Sequence, residues 1–191
     1  WDSEIKRGQE MGLETYPVFT RKSSTDVSYL ACMQRLASAP EAFFPQFATH
    51  NAHTAAAVLE TVGAAGIPFE FQRLHGMGEE LHGQLAAEAP VRVYAPVGSH
   101  TDLLPYLVRR LLENGANTSF VNRLVDETLP VEAVIADPVA RTDTLDAVPH
   151  PRIPRPSDIY PEGRRNSAGI DLGDPARLPG LAEAMDEARR A

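Results

Sequence analysis

Two adjacent arginines share one face of a predicted helix with a tyrosine and a glutamate. The four residues stand at positions i, i+3, i+4 and i+7: Tyr106, Arg109, Arg110 and Glu113. Arginine binds carboxylates through paired hydrogen bonds, so two guanidinium groups beside an aromatic ring suit a small carboxylate ligand, with Glu113 orienting one of them. From the spacing alone, a solvated helix face with i,i+4 ion pairs is the more common meaning of this pattern.

Further candidate residues lie where predicted strands end. Apolar and alternating segments predict strands over residues 43–49, 69–74 and 91–95. Functional residues of βα-barrels cluster at the carboxyl ends of the strands. Here that position is occupied by Thr49, His50, Leu74 and Tyr94. The alternative is that these are ordinary barrel-filling or hydrogen-bonded side chains.

Other chemical motifs find little support in the sequence. His50 and His53 lack the i,i+4 spacing and acidic partner of a zinc protease, and the single cysteine, Cys32, provides no thiolate pair, so no metal site is expected. The loop from Gly76 to Gly78 is a weak match to a dinucleotide-binding turn, because Leu81 stands where the third glycine belongs. No Gly-x-Ser-x-Gly motif marks a nucleophile.

The predicted elements alternate between strand and helix. Helices are expected from about residue 23 to 36, and over 52–62, 79–88 and 102–114, the last starting near Thr101 or Asp102 so that Pro105 falls in its first turn. This order predicts an α/β fold with a parallel sheet or a βα-barrel, within a compact part from about residue 17 to 128. Nine of the 16 prolines lie from Pro130 onward, so an extended arm should follow, with one helix within residues 174–191.

Composition limits the classes of partner. The chain of 191 residues has 18 Lys+Arg against 26 Asp+Glu, a net charge of −8, which argues against nucleic-acid contacts. With 43% hydrophobic residues, one cysteine and no apolar run of about 20 residues, a soluble protein of a reducing compartment is expected. Because the chain begins with Trp1 rather than methionine, we expect it to be a piece of something longer.

Six segments in unbroken order resemble the proline dehydrogenase domain of the bacterial proline utilisation A flavoenzymes. They are residues 1–6 (WDSEIK), 16–22 (YPVFTRK), 47–51 (FATHN), 69–76 (FEFQRLHG), 94–98 (YAPVG) and 106–120, which contains YLVRRLLENGANTSF. The resemblance implies a distorted (βα)8 TIM-like barrel, of which residues 1–128 supply the C-terminal half, about three of eight strands. Residues 129–191 resemble the linker toward a second, NAD-dependent aldehyde dehydrogenase domain.

The resemblance also implies roles for single residues. Arg109 and Arg110 would hold the proline carboxylate with Tyr106 beside them, and Glu113 would steady the cluster. Leu74 and Tyr94 would pack against the proline ring. Arg109, Arg110, Glu113 and Tyr94 would be the catalytic residues. Thr49 and His50 match positions that contact FAD. Further flavin neighbours implied by the resemblance are Trp1, Arg21, Lys22 and Gln72.

The implied reaction is oxidation of L-proline to Δ1-pyrroline-5-carboxylate by hydride transfer to FAD. For the full-length protein the resemblance implies quinone as electron acceptor, a cytoplasmic location with peripheral membrane association, and a homo-oligomer. One alternative is that this chain is a catalytically inert fragment or interaction module. Another is a Rossmann-type oxidoreductase that binds NAD at the Gly76 loop.

Overall fold

The fold is known from a computed structural model that describes residues 2–115, 123, 126 and 128–190. The chain divides into two compact units. The larger unit is Lys22–Leu145, and the smaller one combines the residues up to Arg21 with those from Asp146 onward. The predicted division into a barrel part, residues 1–128, and a linker, residues 129–191, is not tested by these units and stays a prediction.

A parallel sheet forms the centre of the larger unit. Among the described residues it has three strands, β1 (Gln46–Ala48), β2 (Glu70–Leu74) and β3 (Val91–Tyr94), in the order β1-β2-β3. Ala48 pairs with Gln72, and Leu74 pairs with Tyr94. The sheet confirms the predicted α/β class and the three predicted strands. Because the strands are parallel, their carboxyl ends meet at one edge of the sheet.

In this unit a helix precedes the first strand and others follow each strand, as the alternation predicts. They are α2 (Lys22–Ala37), α3 (Ala52–Val58), which continues into a π-helical turn (Leu59–Gly63), α4 (Glu79–Leu85), α5 (His100–Gly115), α6 (Val131–Val134) and α7 (Pro138–Asp143). Helices α6 and α7 lie in a stretch expected to be extended. Pro138 stands at the start of α7, where its missing N–H costs nothing, and Asp137 caps the helix by accepting from the Val139 N–H.

The core lies on one face of this sheet. Phe71 is fully buried at the centre of β2, and Met33 of α2 and Val58 of α3 are among the side chains packed around it. Alternation along β2 therefore sends Glu70, Gln72 and Leu74 to the opposite face. One face of β2 packs into the core, and the other carries the polar Glu70 and Gln72, with Leu74 at the end of the strand.

Asn51 provides a local test of this architecture. Its side chain accepts a hydrogen bond from the His53 N–H at 3.0 Å and caps the start of α3. Replacement by alanine is expected to lower the free energy of unfolding by about 1 kcal/mol, because a helix N–H loses its partner. Asn51→Asp keeps an acceptor and is the matched control. Denaturant unfolding of both variants measures the difference, and equal losses would contradict the capping role.

The smaller unit joins distant parts of the sequence. Helix α1 (Asp2–Met11) precedes the predicted start of the compact part, and α8 (Leu178–Arg190) confirms the predicted C-terminal helix. Gly12 and Gly169 approach so closely that a Cβ on either would lie 1.7 Å from a backbone carbonyl oxygen. The Gly169 N–H donates to the Gly12 carbonyl at 2.8 Å, and Asn166 Nδ2 donates to the Gln9 carbonyl at 2.6 Å. Both glycines are therefore required by packing.

None of the helices in the described ranges has the length and apolar character needed to cross a bilayer.

Candidate active site

A cleft of about 270 Å3 lies at the carboxyl edge of the sheet. Of the residues singled out from the sequence, it brings together Thr49, His50, Gln72, Leu74, Tyr94, Arg110 and Glu113. Leu74 and Tyr94 are the last residues of paired strands, and Thr49 follows the end of β1. Parallel pairing thus assembles the cleft from segments that are far apart in the sequence. Arg73 and Met77 also line it and were not expected.

Helix α5 contributes the charged side of the cleft. It begins at His100 after Ser99, whose carbonyl accepts from the Leu103 N–H at 2.9 Å. The expected start near Thr101 or Asp102, with Pro105 in the first turn, is therefore wrong by one or two residues. Pro105 lies inside the helix, and since proline has no N–H, the carbonyl one turn earlier lacks its usual donor. The face that carries Tyr106, Arg110 and Glu113 is still formed.

The tyrosines and Arg110 make a connected cluster. The hydroxyl groups of Tyr94 and Tyr106 lie 3.0 Å apart, and the Arg110 guanidinium carbon is 5.3 Å from the centre of the Tyr106 ring. Arg110 Nε donates to Glu113 Oε2 at 2.9 Å. The hydrogen bond to Tyr106, together with burial, raises the pKa of Tyr94 above its ordinary value of 10.0, so the hydroxyl is a weaker acid than that of a free tyrosine. The Tyr106 ring and the Glu113 carboxylate thus fix the orientation of the Arg110 guanidinium.

The surroundings of Arg110 favour its charged form. Burial alone would lower its pKa, but the Glu113 charge and the hydrogen bonds with Tyr106 and Glu113 outweigh it, and the pKa is raised. A half-buried guanidinium that stays charged is a receptor for a carboxylate. Arg109 is exposed and is not among the residues that line the cleft. Successive helical residues point about 100° apart, so the structure brings one arginine to the cleft, and the role of Arg109 stays a prediction.

The segment after β1 is held by a buried histidine that the sequence patterns missed. His82 of α4 is 1% exposed, and its Nε2 donates to the Thr49 carbonyl at 3.0 Å. Burial is the main cause that lowers the pKa of His82, so the ring is neutral. The Thr49 Oγ1 accepts from the Asn51 N–H at 3.1 Å. These bonds fix the position of Thr49 at the cleft.

Gly78 leaves room for the side chain of His50, the residue that follows Thr49. Gly78 has a φ of +62°, and a Cβ there would lie 2.7 Å from His50 Cδ2 and 3.2 Å from His82 Cδ2. The rings of His50 and His82 meet edge to face at 6.1 Å. The loop from Gly76 to Gly78 was expected to be a plain βα turn or a weak dinucleotide motif. In the structure it packs against the His50 ring.

A buried carboxylate lies beneath Gln72 on the same face of the sheet. Glu70 is 5% exposed and accepts hydrogen bonds from Gln46, Gln72 and Arg92 at 2.6 to 3.0 Å. The hydrogen bonds from Arg92 and then Gln72 lower the pKa of Glu70 to about 2. The register could have suggested this network, since Gln46 pairs with Glu70, and Gln72 with Arg92.

This carboxylate gives the fold a pH dependence. The pKa of Glu70 in the folded state, about 2, lies below its ordinary value of 4.5, so the unfolded state binds more protons between these values. Its contribution to stability is therefore complete above about pH 4.5 and is lost as the pH falls toward 2. Melting temperatures measured across this range are expected to fall less steeply for Glu70→Gln than for the wild type. Parallel curves would contradict the assignment.

The remaining cofactor candidates are Trp1, Arg21 and Lys22. Trp1 lies outside the described residues. Arg21 belongs to the smaller unit, where its Nε donates to the Pro149 carbonyl at 3.3 Å. Lys22 forms an ion pair with Asp26 and lines a second cleft, of about 250 Å3, together with Asn51 and His53. In the described part of the chain, no three His, Cys, Asp or Glu side chains are grouped to hold a metal ion.

Comparison with protein families adds an independent observation. Residues 1–123 match the family described as proline dehydrogenase. The chain belongs to the proline dehydrogenase family. This match covers most of the chain and confirms the family that the six sequence segments resemble, including the segment 116–120 that lies outside the described residues.

Similar proteins match the chain beyond residue 123. The bifunctional protein PutA of Salmonella typhimurium is 55% identical over 97% of this chain, and that of Rhizobium meliloti is 48% identical over 98%. The chain spans only about 15% of the length of these relatives. The proline utilisation A structure of Bradyrhizobium japonicum matches 95% of the chain and 19% of its own length, with 54% identity and a TM-score of 0.85. The family fold is therefore shared well beyond the cleft.

Proposed function

We propose that this chain forms the substrate-binding part of an FAD-dependent L-proline dehydrogenase that oxidises L-proline to Δ1-pyrroline-5-carboxylate. The observation that supports this most directly is the cleft at the carboxyl edge of the sheet. It joins a carboxylate receptor on α5 to polar groups on the neighbouring strands and loops. Family membership supports the same reaction.

Arg110 is the proposed anchor for the substrate. A guanidinium held by Glu113 and by the Tyr106 ring has lost much of its freedom, so binding a carboxylate costs little further ordering. Leu74 is 5% exposed at the end of β2 and provides an apolar wall for a pyrrolidine ring, with Tyr94 beside it. In this arrangement the chain binds the carboxylate and orients the ring, the effect by which positioning lowers a barrier.

The polar groups of the cleft fit a flavin ring system. A flavin has an edge of hydrogen-bonding atoms on a flat aromatic body, and the cleft offers the Gln72 amide, the Thr49 hydroxyl and the His50 imidazole near apolar Leu74 and Met77. Thr49, His50 and Gln72 would hold FAD there. When bound, FAD supplies the acceptor for the hydride that proline loses from the carbon next to its nitrogen.

The second cleft supports an elongated, anionic cofactor. The residues from 49 to 53 border both clefts, with Thr49 and His50 in the first and Asn51 and His53 in the second. The second cleft carries the basic side chains Lys22, Arg123 and Arg141 and an acidic side chain, Asp26, which pairs with Lys22. The excess of positive charge suits the pyrophosphate of a dinucleotide. In this proposal Lys22 binds FAD through its phosphate end. Arg21 and Trp1 remain candidates for which the described residues offer no further support.

The wider context is also part of the proposal. The three parallel strands would be the last part of a distorted (βα)8 barrel completed by other residues of a longer protein. The relatives carry the word bifunctional in their names, which supports a parent protein with a second activity. That this activity is an NAD-dependent dehydrogenase acting on glutamate semialdehyde, the hydrolysed form of Δ1-pyrroline-5-carboxylate, follows from the family resemblance alone. Quinone as electron acceptor, a homo-oligomer, and a cytoplasmic protein that associates peripherally with the membrane follow from the family resemblance alone.

A reduction experiment on the full-length protein tests the proposal. The purified protein should show flavin absorbance, and anaerobic addition of L-proline should bleach it. Pyrrolidine is the matched control ligand, because it has the same ring without the carboxylate that Arg110 is proposed to bind. A protein without flavin, or a flavin that L-proline leaves oxidised, would overturn the proposal.

A second possibility is that residues 1–191, produced alone, are inert. Several apolar side chains of α5 are exposed, with Leu104 at 60%, Leu111 at 63% and Leu112 at 66%. Exposed apolar surface of this kind favours association with other protein surface. FAD titration of the 191-residue chain distinguishes the cases, since an inert fragment binds no FAD, whereas the longer protein does.

A further inference from the structure

Glu70 controls which way the Gln72 amide faces. The Glu70 carboxylate receives four N–H groups: Gln46 Nε2 at 2.7 Å, Gln72 Nε2 at 3.0 Å, and Arg92 Nε and NH2 at 2.6 and 2.7 Å. Gln72 stands two residues further along β2, on the same face, and lines the cleft. The Gln72 amide therefore donates to the Glu70 carboxylate and also borders the cleft.

The hydrogen-bonding chemistry of these groups allows one orientation of the Gln72 amide. An ionised carboxylate only accepts hydrogen bonds, and an amide has a donating NH2 end and an accepting oxygen end. Turning the Gln72 amide around would place its oxygen against the Glu70 oxygens, two acceptors without a proton between them. Such a contact in a buried site costs the hydrogen bond and adds repulsion. The NH2 end thus faces Glu70, and the carbonyl oxygen is the end available to the cleft.

We propose that Glu70 is a positioning residue for the cofactor: it holds Gln72 as a hydrogen-bond acceptor, so that the cleft selects a ring that donates an N–H group at this place. This inference rests on the proposed function, in which the ring belongs to FAD. An ordinary glutamine can meet either a donor or an acceptor by turning its amide. The carboxylate removes that choice before the ligand arrives, which is preorganisation of a binding site.

A double-mutant cycle in the full-length protein tests this. The dissociation constant of FAD is measured by titrating flavin-free protein with FAD for the wild type, Gln72→Met, Glu70→Gln and the double variant. Loss of one acceptor should weaken binding about 3- to 10-fold in Gln72→Met. Glu70→Gln should weaken it by a similar or smaller factor, because the amide is free to turn. The double variant should bind FAD no more weakly than Gln72→Met alone.

The cycle separates positioning from a general effect on the fold. If Glu70→Gln weakens FAD binding by the same factor with and without Gln72, Glu70 does not act through Gln72 and the inference is overturned. Gln46→Met is the matched control, since Gln46 also donates to Glu70 but does not line the cleft. Its FAD affinity should stay within about twofold of the wild type, and a loss as large as that of Glu70→Gln would also overturn the inference.

Three further outcomes have a defined meaning. If Glu70→Gln does not fold, Glu70→Asp takes its place in the cycle, because it keeps the charge and withdraws the carboxylate by one methylene from Gln72. If the wild type binds no FAD, the proposed function fails and this inference fails with it. If the wild type binds FAD and the cycle is additive, only the role of Glu70 fails.

Discussion

Replacing Arg110 by methionine in the full-length protein is expected to raise the KM for L-proline by at least about 30-fold, since removing one partner of a buried charge-assisted pair costs about 2–5 kcal/mol. Arg110 is the arginine of the pair that lines the cleft, and Glu113 and the Tyr106 ring hold it there. Methionine keeps the length and apolar stem of the side chain, so the loss reports on the guanidinium. Steady-state kinetics with L-proline measure it.

Two companion variants make this result specific. Arg35→Met removes an exposed arginine on α2, away from the cleft, and should leave the KM unchanged. Arg109→Met tests the predicted second half of a carboxylate clamp, and a KM as high as that of Arg110→Met would support a pair of arginines at the substrate. An unchanged KM in Arg110→Met would refute the carboxylate receptor proposed for α5.

Gly78→Ala is expected to lower the affinity for FAD by at least about tenfold, equivalent to about 1.4 kcal/mol, because the new Cβ displaces the His50 ring from its seat. The Cβ would lie 2.7 Å from His50 Cδ2, closer than a carbon contact allows, and 3.2 Å from the His82 ring. The side chain of His82 holds the Thr49 carbonyl, so movement there reaches a second cofactor candidate. FAD titration of the flavin-free full-length protein provides the measurement.

Gly76 offers a closely matched control for this substitution. It has a φ of +80°, so alanine is strained there as it is at Gly78, but nothing lies within 4 Å of its Cβ position. Both variants should lose about 1–2 kcal/mol of stability from backbone strain. Only Gly78→Ala should lose FAD affinity. Equal losses of affinity would show that strain in the loop, rather than contact with His50, determines binding.

Much of the larger unit was predictable because its signals are local. Alternating side chains marked β2 and β3, and Asn51 marked the start of α3, since both patterns depend on neighbours in the sequence. Helix α1 was missed for the opposite reason. Its sequence is polar, and its support comes from remote residues, such as Asn166, which donates to the Gln9 carbonyl. Short-range patterns contain no information about such a partner.

The candidate site also has features that local spacing predicts and features that depend on contacts between elements. The spacing of Tyr106, Arg110 and Glu113 was sufficient to predict a shared helix face, because 3.6 residues per turn fixes it. Which of the two arginines reaches the cleft depends on how α5 lies against the strand ends, and spacing does not determine that. His82 and Glu70 were missed because they have partners on other elements: His82 donates to the Thr49 carbonyl, and Glu70 accepts from Gln46 of β1 and Arg92 of β3. Their roles arise from strand register and helix packing.

The close contact of Gly12 with Gly169 has a consequence for synthesis on the ribosome. Residues 9 and 166 are joined by a hydrogen bond across 157 positions. At about 5–20 residues per second, α1 waits roughly 8–30 s before this partner has been made. During that interval the Gln9 carbonyl lacks its Asn166 donor and the Gly12 carbonyl lacks the Gly169 N–H. The smaller unit is thus assembled late, although it contains the earliest residues of the sequence.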